Sequence, residues 1–188
     1  MQTIWSTCSV TVCPNEFAKL APSMEPHGND LRIESFRPEH AVTYEALNRA
    51  WLVEHDLLEP ADEPQLIRPF ETIIDPGGAI LVAINDNEVI GTCAIVPHGT
   101  NEFELVKLSV APSARRQGIG RQLIDACLEL ARQRGATRVD LLSSSRLGAA
   151  LRLYERAGFR HAPIPPSNPY QTADVYMFVD LAQAPTWK

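Results

Sequence analysis

Residues 103–130, FELVKLSVAPSARRQGIGRQLIDACLEL, constrain the fold more than any other stretch of the chain. Residues 103–110 are rich in Val and Leu, and a run of this length predicts a strand. Pro112 ends the run, because proline has no amide hydrogen and forces the preceding residue into an extended conformation. Apolar residues then recur at helical spacing, at Ile119, Leu123, Ile124, Cys127, Leu128 and Ala131. The stretch therefore predicts a strand, a basic glycine turn and a long amphipathic helix.

The glycine turn has the features of a phosphate site. The first turn of a helix has amide hydrogens without partners in the helix, and the helix dipole places about half a positive charge there. Gly118 and Gly120 have no Cβ, so a ligand can approach the backbone closely. Arg115, Arg116 and Arg121 add forked donors that suit phosphate. The pattern predicts a pyrophosphate site made mostly of main chain; the alternative is a solvated basic turn before an ordinary helix.

Two common nucleotide motifs are excluded by the residues around these glycines. A P-loop needs G-x-x-x-x-G-K-[ST], and no Lys-Ser or Lys-Thr follows here. A dinucleotide fingerprint needs G-x-G-x-x-G, but its third glycine position is Leu123.

The turn resembles the acetyl-CoA signature of the GNAT superfamily of N-acetyltransferases, [QR]-x-x-G-x-[GA]. Residues 115–120, RRQGIG, fit this signature at every defined position. A second landmark, AALRLYERAGF at residues 149–159, is similar to the A-x-x-L-Y-x-x-x-G-F that follows in the family. Both motifs occur in the family's order with a strand between them, and the resemblance covers residues 31–181.

The resemblance and the residue patterns together predict an α/β (α+β) fold of the GNAT type: a mixed, largely antiparallel, twisted sheet flanked by helices. We expect a single acetyltransferase domain over residues 30–182, a poorly ordered extension over residues 1–29 and a short tail over residues 183–188. Strands are predicted at residues 31–36, 79–84, 89–96, 103–110, 138–142, 159–162 and 174–181. Helices are predicted at residues 38–54, 60–74, 118–134 and 147–157.

The resemblance implies acetyl-CoA as a cosubstrate and transfer of its acetyl group to a primary amine by direct attack in a ternary complex. The backbone of Leu108, Ser109 and Val110 is then expected to pair with the pantetheine arm. The pyrophosphate is assigned to the turn and first helical residues Arg115, Arg116, Gln117, Gly118, Ile119, Gly120 and Arg121. Many members carry an Asn after the next strand, where this chain has three serines at residues 143–145. We expect Ser144 to replace its contact.

Tyr154 is the first candidate for a catalytic role. It occupies the tyrosine position of the second motif, where a phenol donates a proton to the leaving thiolate. A tyrosine of the hydrophobic core is the alternative interpretation, because Leu147 and Leu151 precede it at helical spacing.

Glu104 is the candidate general base. Regular alternation along the strand places it on the same face as Val106, Leu108 and Val110. A carboxylate among apolar neighbours has a raised pKa, which suits it to take a proton, through water. The alternatives are a solvated glutamate or one paired with Lys107 or Arg138.

The acceptor pocket of the family is walled by its early helices, which suggests Trp51, His55 and residues 57–59 here, with Tyr170 bordering it from a late loop. Packing between helices is the alternative for the early residues. A small-molecule amine is slightly favoured over a protein lysine or N-terminus. From another class, a catalytically weak acyl-CoA-binding regulatory or interaction module on the same fold remains an alternative.

The composition limits the partners that we expect for this chain. The net charge of −6 argues against nucleic-acid binding, which needs a basic face. No apolar run approaches the roughly 20 residues that span a membrane. The four cysteines lack the spacing of a metal site or a disulfide framework, so we expect a cytoplasmic protein without a metal. Homodimers are common in the superfamily.

Overall fold

The structure, a computed structural model, describes residues 31–181, in which seven strands form one sheet. The strands are β1 (Arg32–Ser35), β2 (Ala79–Asn85), β3 (Glu88–His98), β4 (Glu102–Val110), β5 (Arg138–Ser143), β6 (Arg160–Ala162) and β7 (Val175–Asp180). The α-helices are α1 (Ala41–Glu54), α2 (Glu63–Ile67), α3 (Ile119–Gln133) and α4 (Gly148–Arg156). The predicted extension and tail, residues 1–29 and 183–188, lie outside the described residues.

The sheet is largely antiparallel, which confirms the predicted fold class. Its strands lie in the order β1-β2-β3-β4-β5-β7-β6. The pair β4–β5 is parallel, and the other neighbouring pairs are antiparallel. Strands β4 and β5 run parallel because α3 carries the chain back between them along the sheet.

Helices cover both faces of the sheet, and β2 shows why both faces are apolar. Leu81 and Ala83 point to the cluster formed with α3 and α4. Ile80 and Val82 point to the opposite cluster, which contains Tyr44 of α1. Successive side chains of a strand alternate between faces, so a strand covered on both sides is apolar throughout.

Helix α3 lies close to the sheet. The six apolar residues predicted to form its inner face are all buried. Gly91 of β3 permits the close approach, since a Cβ there would lie 3.1 Å from Leu123 Cδ1 and 3.3 Å from Ile119 Cγ2. This packing holds the N-terminus of α3 next to the end of β4.

The predicted helical region over residues 60–74 is divided. Helix α2 ends at Ile67, and a separate π-helical turn, Phe70–Ile74, follows Pro69. Proline has no amide hydrogen to continue the first helix. None of the helices within residues 31–181 is long and apolar enough to cross a membrane.

Strand β4 is interrupted by a β-bulge. Val106 pairs with Ala94 and Ser109 pairs with Thr92, so two residues of β4 lie opposite one residue of β3. Lys107 within the bulge has a φ of 52°, in the left-handed region. An extra residue in one strand shifts the alternation of the side chains that follow.

The bulge makes one sequence prediction wrong. Glu104 was expected on the same face as Val106, Leu108 and Val110. Val106 packs with the α1 cluster, and Glu104, two residues earlier, shares its side of the sheet. Leu108 and Val110 instead pack against the α3 cluster on the opposite face. The prediction was wrong because it assumed a regular strand without a bulge.

Candidate active site

A cleft opens where β4 and β5 separate. The parallel ladder between them ends at the pair Glu104 and Asp140, whereas β5 stays paired with β7 as far as Ser143. Beyond Glu104 the facing edge of β4 is therefore free of β5. The cleft, counted together with the solvent space at its opening, has a volume of about 770 Å³. Its lining comes from α1, the bulge, β5, α4 and the loop before β7: Asn48, Trp51, Leu52, Leu57, Asp62, Glu104, Leu105, Val106, Lys107, Leu108, Leu142, Ser143, Ser144, Leu147, Tyr154, Tyr170, Thr172 and Ala173.

The predicted phosphate turn lies at the N-terminus of α3. Gly118 caps the helix with a φ of 82°, a left-handed conformation that favours glycine. The Gln122 amide donates to the Gly118 carbonyl at 3.1 Å. The amides ahead of it, including those of Ile119 and Gly120, have no partner in the helix. The space at Gly118 is open, since nothing lies within 4 Å of an added Cβ.

Two of the three predicted arginine donors already have partners. Arg115 donates to both carboxylate oxygens of Glu54, at 2.9 and 2.6 Å, and its Nε donates to the Val110 carbonyl at 3.1 Å. Arg121 forms an ion pair with Asp125 at 2.8 Å and donates to a backbone carbonyl of α4 at 2.8 Å. These side chains fasten the turn to α1 and α4. Sequence reasoning did not predict this role.

Arg116 and Gln117 are the exposed part of the turn. Arg116 has a φ of 66° and forms no ion pair with any residue between 31 and 181. Gln117 donates from Nε2 to the Ser113 carbonyl at 3.1 Å, which keeps its side chain within the turn. Arg116 is thus the guanidinium that stays available beside the free amides.

Tyr154 belongs to the hydrophobic core and also lines the cleft. Its ring packs edge-on against Phe159, with the ring centroids 6.0 Å apart, and the residue also lines the cleft. Its hydroxyl has no hydrogen-bond partner within the described part of the chain. Burial, with a smaller effect of Cys93, raises its pKa above the usual range. A neutral phenol that keeps its proton can donate to an anion formed in the cleft.

Glu104 is an unpaired carboxyl in the cleft. Both predicted partners bind elsewhere: Lys107 Nζ lies 2.5 Å from Asp62 Oδ1, and Arg138 Nε lies 3.0 Å from Asp180 Oδ1. No residue within 31–181 forms an ion pair or hydrogen bond with the Glu104 carboxyl. Burial, followed by the charge of Asp140, raises its pKa, and His98 and Lys107 lower it by less. The group is therefore inclined to accept a proton.

The serines at the cleft differ in their contacts. Ser144 is buried and lines the cleft, and its Oγ accepts from the Arg146 amide at 3.5 Å. The Ser109 hydroxyl instead donates to the Leu47 carbonyl of α1 at 3.0 Å. The Ser109 hydroxyl is therefore engaged within the protein, and the expected role of its backbone stays a prediction.

The predicted acceptor residues divide into two groups. Trp51, Leu57 and Tyr170 line the cleft. The His55 ring stacks on Trp51 with the centroids 4.6 Å apart, and its Nδ1 lies 2.9 Å from the Trp51 carbonyl oxygen, so it supports the wall from behind.

Glu59 fastens the loop that follows β6. Its carboxylate accepts hydrogen bonds from the amides of Gln171 at 2.9 Å and Thr172 at 2.8 Å, and from the Thr172 hydroxyl at 2.6 Å. Burial alone would raise the Glu59 pKa, but these hydrogen bonds outweigh it and lower the pKa. The contacts hold Tyr170 and Thr172 over the cleft.

Asn48 was missed by sequence reasoning. Its Nδ2 donates to the Tyr44 carbonyl and to Thr92 Oγ1, both at 2.9 Å. The Thr92 hydroxyl in turn donates to the Lys107 carbonyl in the bulge at 3.0 Å. The sequence signal was a polar residue four positions after Tyr44, within an otherwise apolar helix face.

Comparison with known proteins supports the resemblance. The family model described as "Acetyltransferase (GNAT) family" matches residues 40–159, more than half of the chain. An uncharacterised N-acetyltransferase of Escherichia coli (strain K12), YjgM, is 32% identical over 102 residues, covering 53% of this chain and 61% of that protein. The matches span about half the length of the curated relatives.

Solved structures show the same fold. A GNAT acetyltransferase of Staphylococcus aureus Mu50 has a TM-score of 0.74 at 20% identity, covering 80% of this chain and 99% of that one. The acetyltransferase yncA of Salmonella typhimurium, solved with acetyl-CoA, has a TM-score of 0.68 at 18% identity, covering 84% and 98%. The family match, the split between β4 and β5 and the glycine turn agree: the chain belongs to the GNAT acetyltransferase family.

Proposed function

We propose that the chain is an acetyl-CoA-dependent N-acetyltransferase that acts on a small primary amine by direct attack in a ternary complex. The observation that carries the proposal is the cleft itself, which holds an unpaired Glu104 carboxyl and a Tyr154 hydroxyl without a hydrogen-bond partner. The two groups suit the two proton transfers that acetylation of an amine requires.

Glu104 is the proposed base. An amine attacks only as the free base, so an ammonium ion must first lose a proton. The raised pKa of Glu104 lets the carboxylate take this proton, directly or through one water, and hold it during the attack. Aligning the amine with the thioester supplies about 7–11 kcal/mol of barrier reduction in addition.

Tyr154 is the proposed acid. Acetyl-CoA supplies the acetyl group on a thioester, and the carbon–sulfur bond breaks as the carbon–nitrogen bond forms. The Tyr154 hydroxyl then donates to the departing sulfur.

The cofactor is proposed to bind along β4 and the turn that follows it. Backbone amides of Leu108 and Val110 hold the pantetheine arm, and Ser144 contributes a hydroxyl. The turn from Arg115 to Arg121 holds the pyrophosphate, and Arg116 provides its free guanidinium.

A small amine with an apolar body is the proposed acceptor. The outer cleft is lined by Trp51, Leu57 and Tyr170. Its one buried cation, Lys107, is bound to Asp62, so an acceptor carboxylate would find no free partner there among residues 31–181. The loop fastened by Glu59 adds Tyr170, Thr172 and Ala173 to the wall of the cleft, which favours a small acceptor over an extended protein segment.

The proposal is tested by calorimetric titration of acetyl-CoA into wild type, Gly118→Glu and Gly135→Glu, followed by thiol release with a panel of primary amines. The two glycines are matched: both are at positive φ, 82° and 80°, and nothing lies within 4 Å of an added Cβ at either. They flank opposite ends of α3. We expect loss of binding in Gly118→Glu alone. Wild-type protein that does not bind acetyl-CoA, or equal loss in both variants, would contradict the site.

A further inference from the structure

We propose that Asp140 and His98 form a relay that carries the proton taken up by Glu104 from the cleft to solvent. The inference rests on the proposed function, because it concerns the fate of the proton in that reaction. It assigns a role to two side chains that the acetylation chemistry above does not use.

The reaction releases one proton per turnover. An ammonium ion and a thioester give an amide, a thiol and a proton: the nitrogen loses two hydrogens, one of which balances the thiol. The Glu104 carboxyl must therefore return to carboxylate before the next cycle. Glu104 lines the cleft that both ligands are proposed to fill, so a route that leads away from the cleft would let this proton leave.

The three side chains lie on one face of the sheet. Glu104 pairs in register with Val96 of β3 and with Asp140 of β5. His98 is two residues beyond Val96, so it lies on the same face. Its Nε2 is 2.8 Å from Asp140 Oδ2. The groups thus form a row that leads from Glu104 on β4 to Asp140 on β5 and back over β4 to His98 at the end of β3.

The exposure of the side chains increases from Asp140 to His98, as a relay that leads to solvent requires. The Asp140 side chain is 5% exposed and that of His98 is 43% exposed. A proton on Glu104 passes to the Asp140 carboxylate, then to the His98 imidazole, and leaves from there to water. Histidine exchanges protons readily near neutral pH.

Other polar groups also surround the row. The Tyr176 side chain of β7 faces Asp140, and Glu102 of β4 has a carboxylate oxygen within 4.8 Å of the His98 and Asp140 ligand atoms. Lys107 is bound to Asp62, and Arg138 to Asp180. Tyr170 faces Glu104 from the loop, with a pKa raised by burial first and by nearby carboxylates.

Both carboxyls of the row favour their protonated form. Burial raises the pKa of both Glu104 and Asp140, and each of these shifts is moderated by His98. A proton that leaves Glu104 therefore meets a neighbouring carboxylate that also binds it more readily than an exposed carboxylate would.

The test compares His98→Gln and Asp140→Asn with His161→Gln in the full chain. His161 is a matched control, since it is 54% exposed and lies 3.2 Å from the carboxylate of Glu155 on another element. We expect kcat for amine acetylation to fall about 10-fold in the relay variants, less than on removal of the base itself, with KM for acetyl-CoA unchanged. Added imidazole should restore His98→Gln and leave Glu104→Gln unchanged.

A His98→Gln variant with the kcat, pH profile and imidazole response of His161→Gln would overturn the relay and leave the acetyltransferase proposal intact. Absence of wild-type turnover with every amine tested would instead overturn the proposed function. In that case the relay is tested by NMR titration of the carboxyl groups. A shift of the Glu104 titration midpoint in His98→Gln supports coupling between Glu104 and His98, and an unchanged midpoint overturns the relay.

Discussion

Glu104 of β4 lies opposite Asp140 of β5 at the last rung of the parallel ladder that joins the two strands. Beyond this rung the strands separate and the cleft begins, so the carboxyl of Glu104 stands at its apex. Its raised pKa follows from this position, because burial and the neighbouring Asp140 carboxyl both disfavour its ionised form.

Replacing Glu104 by Gln keeps the shape of the side chain and removes the base. We expect kcat to fall about 100-fold, the lower end of the range for general acid–base catalysis, with little change in KM for acetyl-CoA. Steady-state thiol release at neutral pH measures both constants. An unchanged kcat would exclude Glu104 as the base.

The raised pKa of Glu104 also predicts that pH has opposite effects on activity and on stability. Activity should rise with pH as the carboxyl ionises, at a pH above the ordinary glutamate value of about 4.3. Because the folded-state pKa is raised, the folded protein binds the proton more tightly, and the free energy of unfolding decreases as pH rises through that interval. Glu104→Gln should therefore have a Tm that rises relative to that of wild type as pH increases above the ordinary glutamate value. A constant difference in Tm would contradict the raised pKa.

Replacing Tyr154 by Phe removes the hydroxyl and retains the ring that packs on Phe159. We expect kcat to fall about 10-fold, equivalent to one hydrogen bond of about 1.4 kcal/mol, with Tm nearly unchanged. Thermal unfolding and thiol release on the same preparation separate the two effects. A large fall in Tm with unchanged kcat would assign Tyr154 to the core alone.

The buried ion pair of Lys107 and Asp62 should be sensitive to loss of one partner. Their side chains are 6% and 3% exposed. Lys107→Met leaves the Asp62 carboxylate buried without its partner, which costs about 3–5 kcal/mol in comparable cases. Urea unfolding measures the change. The double variant Lys107→Met with Asp62→Leu should recover much of the lost free energy of unfolding. An equal loss in the double variant would show that the unpaired charge of Asp62 is not its cause.

Glu59 should act on acceptor binding rather than on acetyl-CoA binding. Glu59→Gln removes the charge that holds the amides of Gln171 and Thr172, so we expect a several-fold higher KM for the amine and faster hydrogen exchange over residues 168–173. Glu71→Gln, an exposed glutamate paired with Arg68, is the control. Equal KM values for the two variants would contradict the role of the loop.

The sequence predicted the fold well where local rules suffice. The glycine turn, the inner face of α3 and the hairpin of β2 and β3 follow from residue periodicity and turn residues, and the structure has each of them. The family resemblance added the expected use of the β4 backbone at Leu108, Ser109 and Val110, which no local pattern contains.

The details of the site depend on contacts between distant residues. The bulge at Lys107 is held by Thr92 and Asn48, which lie 15 and 59 residues away along the chain, and it reverses the side on which Leu108 points. Arg115 was predicted to bind phosphate, whereas Glu54 of α1 holds its side chain. Neither partner can be identified from the motif alone.

The most direct test of the account is chromatography with mass spectrometry of the products formed from acetyl-CoA and a small apolar primary amine. The account predicts one N-acetylated amine for each thiol released, and about 100-fold slower product formation with Glu104→Gln. Protein that binds acetyl-CoA but acetylates none of the amines would contradict it, and would instead indicate an acyl-CoA-binding regulatory module on this fold.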